Sequence, residues 1–171
     1  INLLLNKMNI PNNLIENFSY EIREIKPNNF NSIIEIIHES KLIGEELLNI
    51  DDAILFIKSK LERNKAKIYI TIHDAKPIGF MVFFVKINPL SPVKYNWHIS
   101  YLYVKHEYRR NKIAQKMMLK CINFSRKTKV EFLSLNTGTD NYAAHRLYEN
   151  LGFYRKDFIA NYFYYEINLN H

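Results

Sequence analysis

The sequence predicts an α/β protein in which a mixed β-sheet carries helices on its faces. Three observations lead there. Short alternating or β-rich runs recur along the chain, as in SYEIREI (Ser19–Ile25) and WHISYLY (Trp97–Tyr103). Between them stand segments with apolar residues at helical spacing, such as Ile54, Leu55, Ile57 and Leu61. And one stretch runs strand, loop, helix, strand from Trp97 to Leu135, a βαβ unit that makes its two strands parallel.

The elements follow in order. Ser19–Ile25 alternates as a half-buried strand and stops at Pro27. Asn31–His38 places Ile33, Ile34, Ile36 and Ile37 on a broad apolar face, consistent with a helix. After a loop around Gly44, Asp51 or Asp52 can cap a second helix that runs through Arg63. Lys67–Ile72 and Ile78–Val85 are β-rich runs joined by the short HDAKP connection, which predicts a hairpin. Pro89 and Pro92 mark a loop before the Trp97–Val104 strand. The next helix puts Ala114, Met117, Met118, Cys121 and Ile122 on one face and Lys116, Lys120 and Asn123 opposite. Val130–Leu135 is a strand, NTGTDN (Asn136–Asn141) a turn and capping region, and Tyr142–Asn150 a short helix ended by Gly152. Phe153–Ile159 and Tyr162–Leu169 close the chain as strands, giving the order β-α-α-β-β-β-α-β-α-β-β.

Composition sets the class. With 171 residues, 47% of them apolar and 24% charged, the chain reads as one globular domain over residues 18–171. Residues 1–17 read as an N-terminal appendage, poorly ordered or not native, whose only apolar block is Leu3–Leu5. No apolar run approaches the roughly 18 residues that cross a membrane. The single cysteine, Cys121, lies on an apolar helix face, so it reads as packing in a protein of a reducing compartment, the cytoplasm. Asparagine occurs 21 times, which lowers the information in any one of them.

The net charge of +7 is unevenly spread. Lys105–Lys129 carries nine Lys or Arg against the single acid Glu107. Glu35–Asp52 carries six acids (Glu35, Glu39, Glu45, Glu46, Asp51, Asp52) against Lys41 alone. The first run suits phosphates or nucleic acid, the second a cationic partner, and each alone also reads as a solvated helix face.

Most catalytic signatures are absent. There is no phosphate-binding glycine loop and no G-x-S-x-G, and the four glycines lie far apart. HEYRR at His106 begins like a zinc-protease helix but has Arg110 where a second histidine belongs, so no metal site is expected. What remains is VKHEYRRNKIA (Val104–Ala114), where a strand passes through Arg109, Arg110 and Lys112 into the first turn of a helix. A helix N-terminus with unpaired N–H groups and added cations is an anion site.

Two segments together resemble the GNAT superfamily of N-acetyltransferases. LYVKHEYRRNKIAQKMM (Leu102–Met118) resembles its acyl-CoA motif, and NYAAHRLYENLGF (Asn141–Phe153) resembles the later motif in which Asn, Ala, Leu-Tyr and Gly-Phe recur. The resemblance covers about residues 18–168 and implies a GNAT-like fold: a central mixed, mostly antiparallel sheet of about seven strands flanked by about four helices. It implies acetyl-CoA as acyl donor, with no metal. Leu102, Tyr103 and Val104 would offer backbone groups to the pantetheine arm. Arg109, Arg110, Asn111, Lys112, Ile113 and Ala114 would wrap the pyrophosphate. Asn141 would help hold the cofactor arm, and Tyr148 would be the general acid near the thioester sulfur. One departure stands out: the family loop reads Gln/Arg-x-x-Gly-x-Gly/Ala, whereas this loop has Lys at 112 and Arg at 110 where glycines are usual. Glycine there permits close backbone approach and positive φ; with Lys112 the loop either sets that side chain's charge on the pyrophosphate, the favoured outcome, or binds the cofactor weakly or not at all.

The implied reaction is acetyl transfer to a primary amine. The strand before the loop holds no acid, so His98 is the candidate base, with a structural role as its alternative. Because the first two helices commonly border the acceptor cleft in this fold, the acidic run there implies a cationic acceptor: a polyamine, an aminoglycoside or a lysine or peptide amine. Three alternatives stay open. One is a nucleic-acid-binding module using Lys105–Lys129, with Tyr108 and Phe124 for stacking. The others are an aminoacyl-tRNA-directed acetyltransferase and a domain that binds acyl-CoA without transfer. The oligomeric state is open too, a homodimer included.

Overall fold

The computed structural model describes residues 18–42, 49–87, 95–128, 130–159 and 161–170. The appendage expected over residues 1–17, the loop residues Gly44, Glu45 and Glu46, and Pro89, Pro92 and Lys129 lie outside them. Seven strands form one sheet: β1 (Glu21–Glu24), β2 (Ala66–His73), β3 (Lys76–Ile87), β4 (Tyr95–Val104), β5 (Phe132–Gly138), β6 (Tyr154–Ile159) and β7 (Tyr162–Asn168). The helices are α1 (Ile34–Ser40), α2 (Ile50–Glu62), α3 (Ile113–Arg126) and α4 (Tyr142–Asn150). The order of elements is the one the periodicities predict.

Across the sheet the strands lie β1-β2-β3-β4-β5-β7-β6. Every pairing is antiparallel except β4 with β5, which α3 connects by crossover. The β2–β3 hairpin turns on Asp74 and Ala75, both at positive φ (47° and 61°), the backbone of a two-residue primed turn. Alternation sorts the side chains. Ile68, Ile70, Phe80 and Val82 face α1 and α2, where Ile36, Ile37, Ile54, Ile57 and Leu61 meet them. Tyr69, Met81, Phe83, Trp97, Leu133 and Tyr165 face α3 and α4, against Ile113, Met117, Met118, Cys121 and Tyr148. With helices on both sides, β3 is buried without a break from Ile78 to Phe83, as a central covered strand must be. Cys121 is fully buried in that packing, and burial pushes its thiol up, which keeps it protonated.

Three boundaries differ from the sequence reading. Pro27–Ile33 forms a 3₁₀ segment before α1, with a non-helical residue at Asn29, where periodicity predicts a single helix from Asn31. Asn49, not Asp51 or Asp52, caps α2: its side-chain oxygen accepts from the Asp51 N–H at 3.1 Å, and the two aspartates occupy the first turn. The stretch read as a turn from Asn136 is strand through Gly138, because β7 lies alongside to pair it. Among the described residues no helix is long and apolar enough to cross a membrane, and no three His, Cys, Asp or Glu side chains gather into a metal-sized group.

Candidate active site

The middle of the sheet comes apart. β4 pairs with β5 only through Trp97, His98 and Ile99, opposite Leu133, Ser134 and Leu135. Beyond that rung β5 continues against β7 and β4 against β3, so Ser100–Val104 has no strand on its β5 side. The cause is a bulge: Ile99 pairs with Phe83 and Tyr101 with Val82, leaving Ser100 as the extra residue. A bulge bends its strand and raises local twist, here turning β4 away from its neighbour. The result is an interior strand edge whose main-chain groups can pair with an extended ligand. The sequence-predicted residues Leu102, Tyr103 and Val104 lie on it. Gly79 lets β3 hold this segment closely, for a Cβ there would stand 2.8 Å from the Tyr103 carbonyl oxygen.

The open edge leads straight into the Arg109–Ala114 loop. Val104, Tyr108, the loop and Leu147 of α4 enclose a cleft of about 260 Å³. Arg110 and Lys112 both adopt left-handed backbone, at φ 69° and 59°. These are the two positions where the resemblance leads to an expectation of glycine, so the loop adopts the left-handed backbone without the residue that makes it easy. Lys112 is the N-cap of α3 and offers no side-chain cap, which leaves the first-turn N–H groups facing the cleft unclaimed. The loop is braced from behind. The Asn111 amide donates to the carbonyls of Tyr108 (3.1 Å) and Arg109 (3.3 Å), and the Tyr20 hydroxyl donates to the Asn111 carbonyl at 3.2 Å. Arg109 donates through Nε to the Val104 carbonyl at 3.0 Å, tying the loop to the strand end.

On the same face, Asn141 opens α4, its side-chain oxygen accepting from the Ala144 N–H at 3.2 Å. Two turns on, Tyr148 is 8% exposed and packs on the rings of Phe153 and Tyr165. It belongs to the apolar cluster that includes Ile99, Leu135 and Val104, the residues around the parting strands. Burial, with Tyr165 beside it, pushes its phenol up to about 12, so it stays protonated and able to donate. Its hydroxyl makes no hydrogen bond among the described residues. Behind it, buried His145 joins α4 to the sheet. Its Nε2 donates to the Thr139 carbonyl (3.2 Å), which leaves Nδ1 to accept from the Tyr165 hydroxyl (2.7 Å). Arg155 donates to that same hydroxyl at 2.8 Å and pairs with Glu149 at 3.0 Å.

His98 lies on the opposite face of the sheet. Its Nδ1 is 2.9 Å from Ser134 Oγ, which also accepts from the Asn96 amide at 2.8 Å. Burial first, and Lys86 second, lower the imidazole to about 4, so it is neutral at neutral pH. The row continues across the sheet: Ser134 pairs with Glu166, and Glu166 with Tyr154. Glu166 is 3% exposed and accepts from the Tyr154 hydroxyl (2.5 Å) and the Lys156 ammonium (2.8 Å).

The model of the acetyltransferase (GNAT) family matches residues 30–153 of this chain. The chain belongs to the GNAT acetyltransferase family. Solved structures agree in fold. The PaiA N-acetyltransferase from Thermoplasma acidophilum in complex with coenzyme A is 21% identical, with a TM-score of 0.67, over 88% of this chain and 99% of that one. NAA60 from Arabidopsis thaliana, in complex with a bisubstrate analogue, is 17% identical, with a TM-score of 0.66, over 88% and 98%. The NatC complex bound to Gag peptide and CoA gives 24% identity and a TM-score of 0.68 over 88% and 98%. No curated protein sequence matches.

Of the expected cofactor residues, Val104, Arg109, Arg110, Lys112, Ile113 and Ala114 line one cleft, and Leu102 and Tyr103 lie on the strand that leads into it. Asn141 caps α4 and Tyr148 lies on it, and Leu147 of that helix borders the cleft. His98 stands apart from them, across the sheet. Of the acidic run's described members, Glu39 pairs with Lys105 at 2.6 Å, Asp51 lies 3.7 Å from His38, and Glu35 and Glu39 line a separate cleft with Lys76 and Lys105. The basic run is partly engaged as well. Lys116 sits over the Tyr20 ring, and Lys120 sits over Tyr69 while donating to the Ile22 carbonyl. Sequence reasoning missed the Ser100 bulge, Gly79, Glu166 and the His145–Tyr165 link. Glu166 had a signal, an acid at an inward-facing step of a strand; the bulge had none, since it exists only as a mismatch between two strands.

Proposed function

We propose that this GNAT protein transfers the acetyl group of acetyl-CoA to a primary amine. One observation carries the reading: the unpaired β4 edge runs without interruption into a left-handed, cation-bearing loop at a helix N-terminus. That sequence of features fits a ligand with an extended amide-bearing arm followed by a diphosphate. Among the binding residues, Leu102–Val104 would align the arm as an added strand would. Arg110, Lys112 and the first N–H groups of α3 would hold the phosphates.

Bound acetyl-CoA supplies the acyl group and a thiolate leaving group. Tyr148, protonated because burial holds its phenol up, would give its proton to the departing sulfur. The amine's proton is the harder problem. A lysine-type amine with pKa near 10.4 is neutral in only about one molecule in 2,500 at pH 7, a deficit of roughly 4.6 kcal/mol. His98, lowered to about 4, is too weak a base to take that proton outright, so its role would be to pass protons along the Ser134 row or to orient the acceptor. An α-amine of pKa near 7.8 is already neutral in roughly one molecule in seven and asks less of the protein.

The lone buried Cys121 accords with a cytoplasmic setting. The reading is tested by titrating acetyl-CoA calorimetrically into the wild type and into an Arg110→Ala, Lys112→Ala double variant. Tight binding that weakens about tenfold or more in the variant supports it. Equal binding by both would remove the loop from the site, and no binding by either would remove acetyl-CoA.

A further inference from the structure

On the α1/α2 face, a cleft of about 620 Å³ lies between α2, β3 and β4. It starts at Ser100 and Tyr101, where β4 bulges and the sheet opens, and follows β3 to Ile87. From Val82, the partner of Tyr101, to Ile87 is five strand steps, about 17 Å, or the length of about five extended residues. It is therefore a channel that begins beside the open β4 edge, on the face of the sheet opposite Tyr148, and leads away from it.

Its charge is one-sided. Lys60, Arg63, Lys65 and Lys86 line it, and among the described residues no aspartate or glutamate does. The ion pairs of the described residues all lie elsewhere, so none of these four has a carboxylate partner among them. Lys60 and Arg63 sit at the C-terminal end of α2, where cations answer the helix dipole. That reason does not extend to Lys65, which precedes β2, or to Lys86 within β3. Lys60 also lies over the Phe56 ring and Lys86 over the Tyr164 ring, but neither contact supplies a negative charge, so four cations along one channel favour an anion within it. Between them run apolar surfaces, the half-exposed Phe56 packed on Phe84 at 6.0 Å and the exposed Ile87.

We propose that this channel is the acceptor subsite, and that it takes a peptide N-terminus whose following residues are acidic. The α-amine reaches the open edge at Ser100 while the next side chains meet Arg63, Lys65 and Lys86. The inference rests on the acetyltransfer reading above and replaces the cationic acceptor that the Glu35–Asp52 run implies, whose described acids do not line this channel. It also suits the weak base: the α-amine is the amine that needs least help in losing its proton. In the step itself the amine nitrogen bonds to the acyl carbon and the thioester C–S bond breaks. The nitrogen gives up one proton and the sulfur gains one, leaving a neutral amide and free CoA thiol.

The test compares three hexapeptides, identical except that an N-terminal serine is followed by Asp-Asp, Ala-Ala or Lys-Lys, with thiol release as the readout at two salt concentrations. The acidic peptide is expected to exceed the basic one by about tenfold or more in kcat/KM, with the ratio shrinking in salt. A combined Arg63→Gln, Lys65→Gln, Lys86→Gln variant should collapse the acidic-over-neutral ratio, and Lys127→Gln on the α3 face should leave that ratio in place. Preference for the basic or neutral peptide, or a ratio the triple variant retains, overturns the subsite. So does phosphoethanolamine outcompeting the acidic peptide, which would mark a small anionic amine, or competition by single-stranded RNA. If no peptide yields thiol, the acetyltransfer reading fails separately. Fluorescence polarisation of the same labelled peptides then decides the channel by itself.

Discussion

His98 Nδ1 stands 2.9 Å from Ser134 Oγ, across the second of the three parallel rungs that join β4 to β5. The ring is thereby fixed next to the opening of the sheet and lowered to about 4 by burial and Lys86. The unfolded chain protonates this histidine near 6.5, the folded chain only near 4. Its stability contribution is therefore intact above pH 6.5 and lost as pH falls from 6.5 to 4, by on the order of 3 kcal/mol. Urea midpoints at pH 7 and pH 4.5 should differ more for the wild type than for His98→Gln.

Tyr148→Phe separates the two roles of that ring. Packing against Phe153 and Tyr165 survives the change, so acetyl-CoA affinity and the melting temperature should hold. Turnover should fall by about 10²-fold or more, because the proton donor is gone. An unchanged rate, measured as thiol release at saturating substrates, would leave Tyr148 a packing residue. The raised phenol also stabilises the fold fully below pH 10, and that contribution is lost as pH climbs from 10 to about 12.

Lys112 combines a charge with a backbone strain, and two variants pull them apart. Lys112→Ala and Lys112→Gly both delete the charge, so each should weaken acetyl-CoA binding by a similar factor, about three- to tenfold. Only glycine relieves the left-handed φ of 59°. The glycine variant should thus be more stable than the alanine variant by about 1 kcal/mol in chemical denaturation. Equal stabilities would mean that the loop relaxes out of its left-handed shape when the lysine is removed.

Gly79→Ala attacks the site from the far side of β4. The added Cβ would meet the Tyr103 carbonyl oxygen at 2.8 Å, and that atom is backbone, so the strand must move. Overpacking of this kind costs about 1–3 kcal/mol. Because the displaced segment is the one that leads into the loop, acetyl-CoA binding should weaken along with thermal stability. Loss of stability with full affinity would show that the edge accommodates the shift.

What the sequence revealed and what it hid divides along the range of the interactions. The element order was legible because periodicity, Pro27, Asn141 and Gly152 act within a few residues of themselves. The strand–loop–helix stretch through Arg109–Ala114 and the second motif around Tyr148 were legible because each is contiguous in sequence. The parting of β4 and β5 was not, since it depends on Ile99 and Tyr101 pairing with adjacent residues of β3. The fold re-sorts the charge runs for the same reason. Glu39 and Lys105 come from oppositely charged stretches and neutralise each other in space, while Lys60, Arg63, Lys65 and Lys86, never adjacent as a run, converge on one channel.

The gap beside Ser100–Val104 has a thermodynamic reading that reaches past catalysis. A sheet with an unfinished seam at its centre gains its missing hydrogen bonds only when something extended lies in it, so a donor held there as proposed would act as a structural member as well as a reactant. Any ligand held there and absent from the unfolded chain adds stability by mass action, about 2.7 kcal/mol at a hundredfold excess over its dissociation constant. The folded population of this protein would then track the supply of its acyl donor, rising when acetyl-CoA is plentiful and thinning when it is scarce.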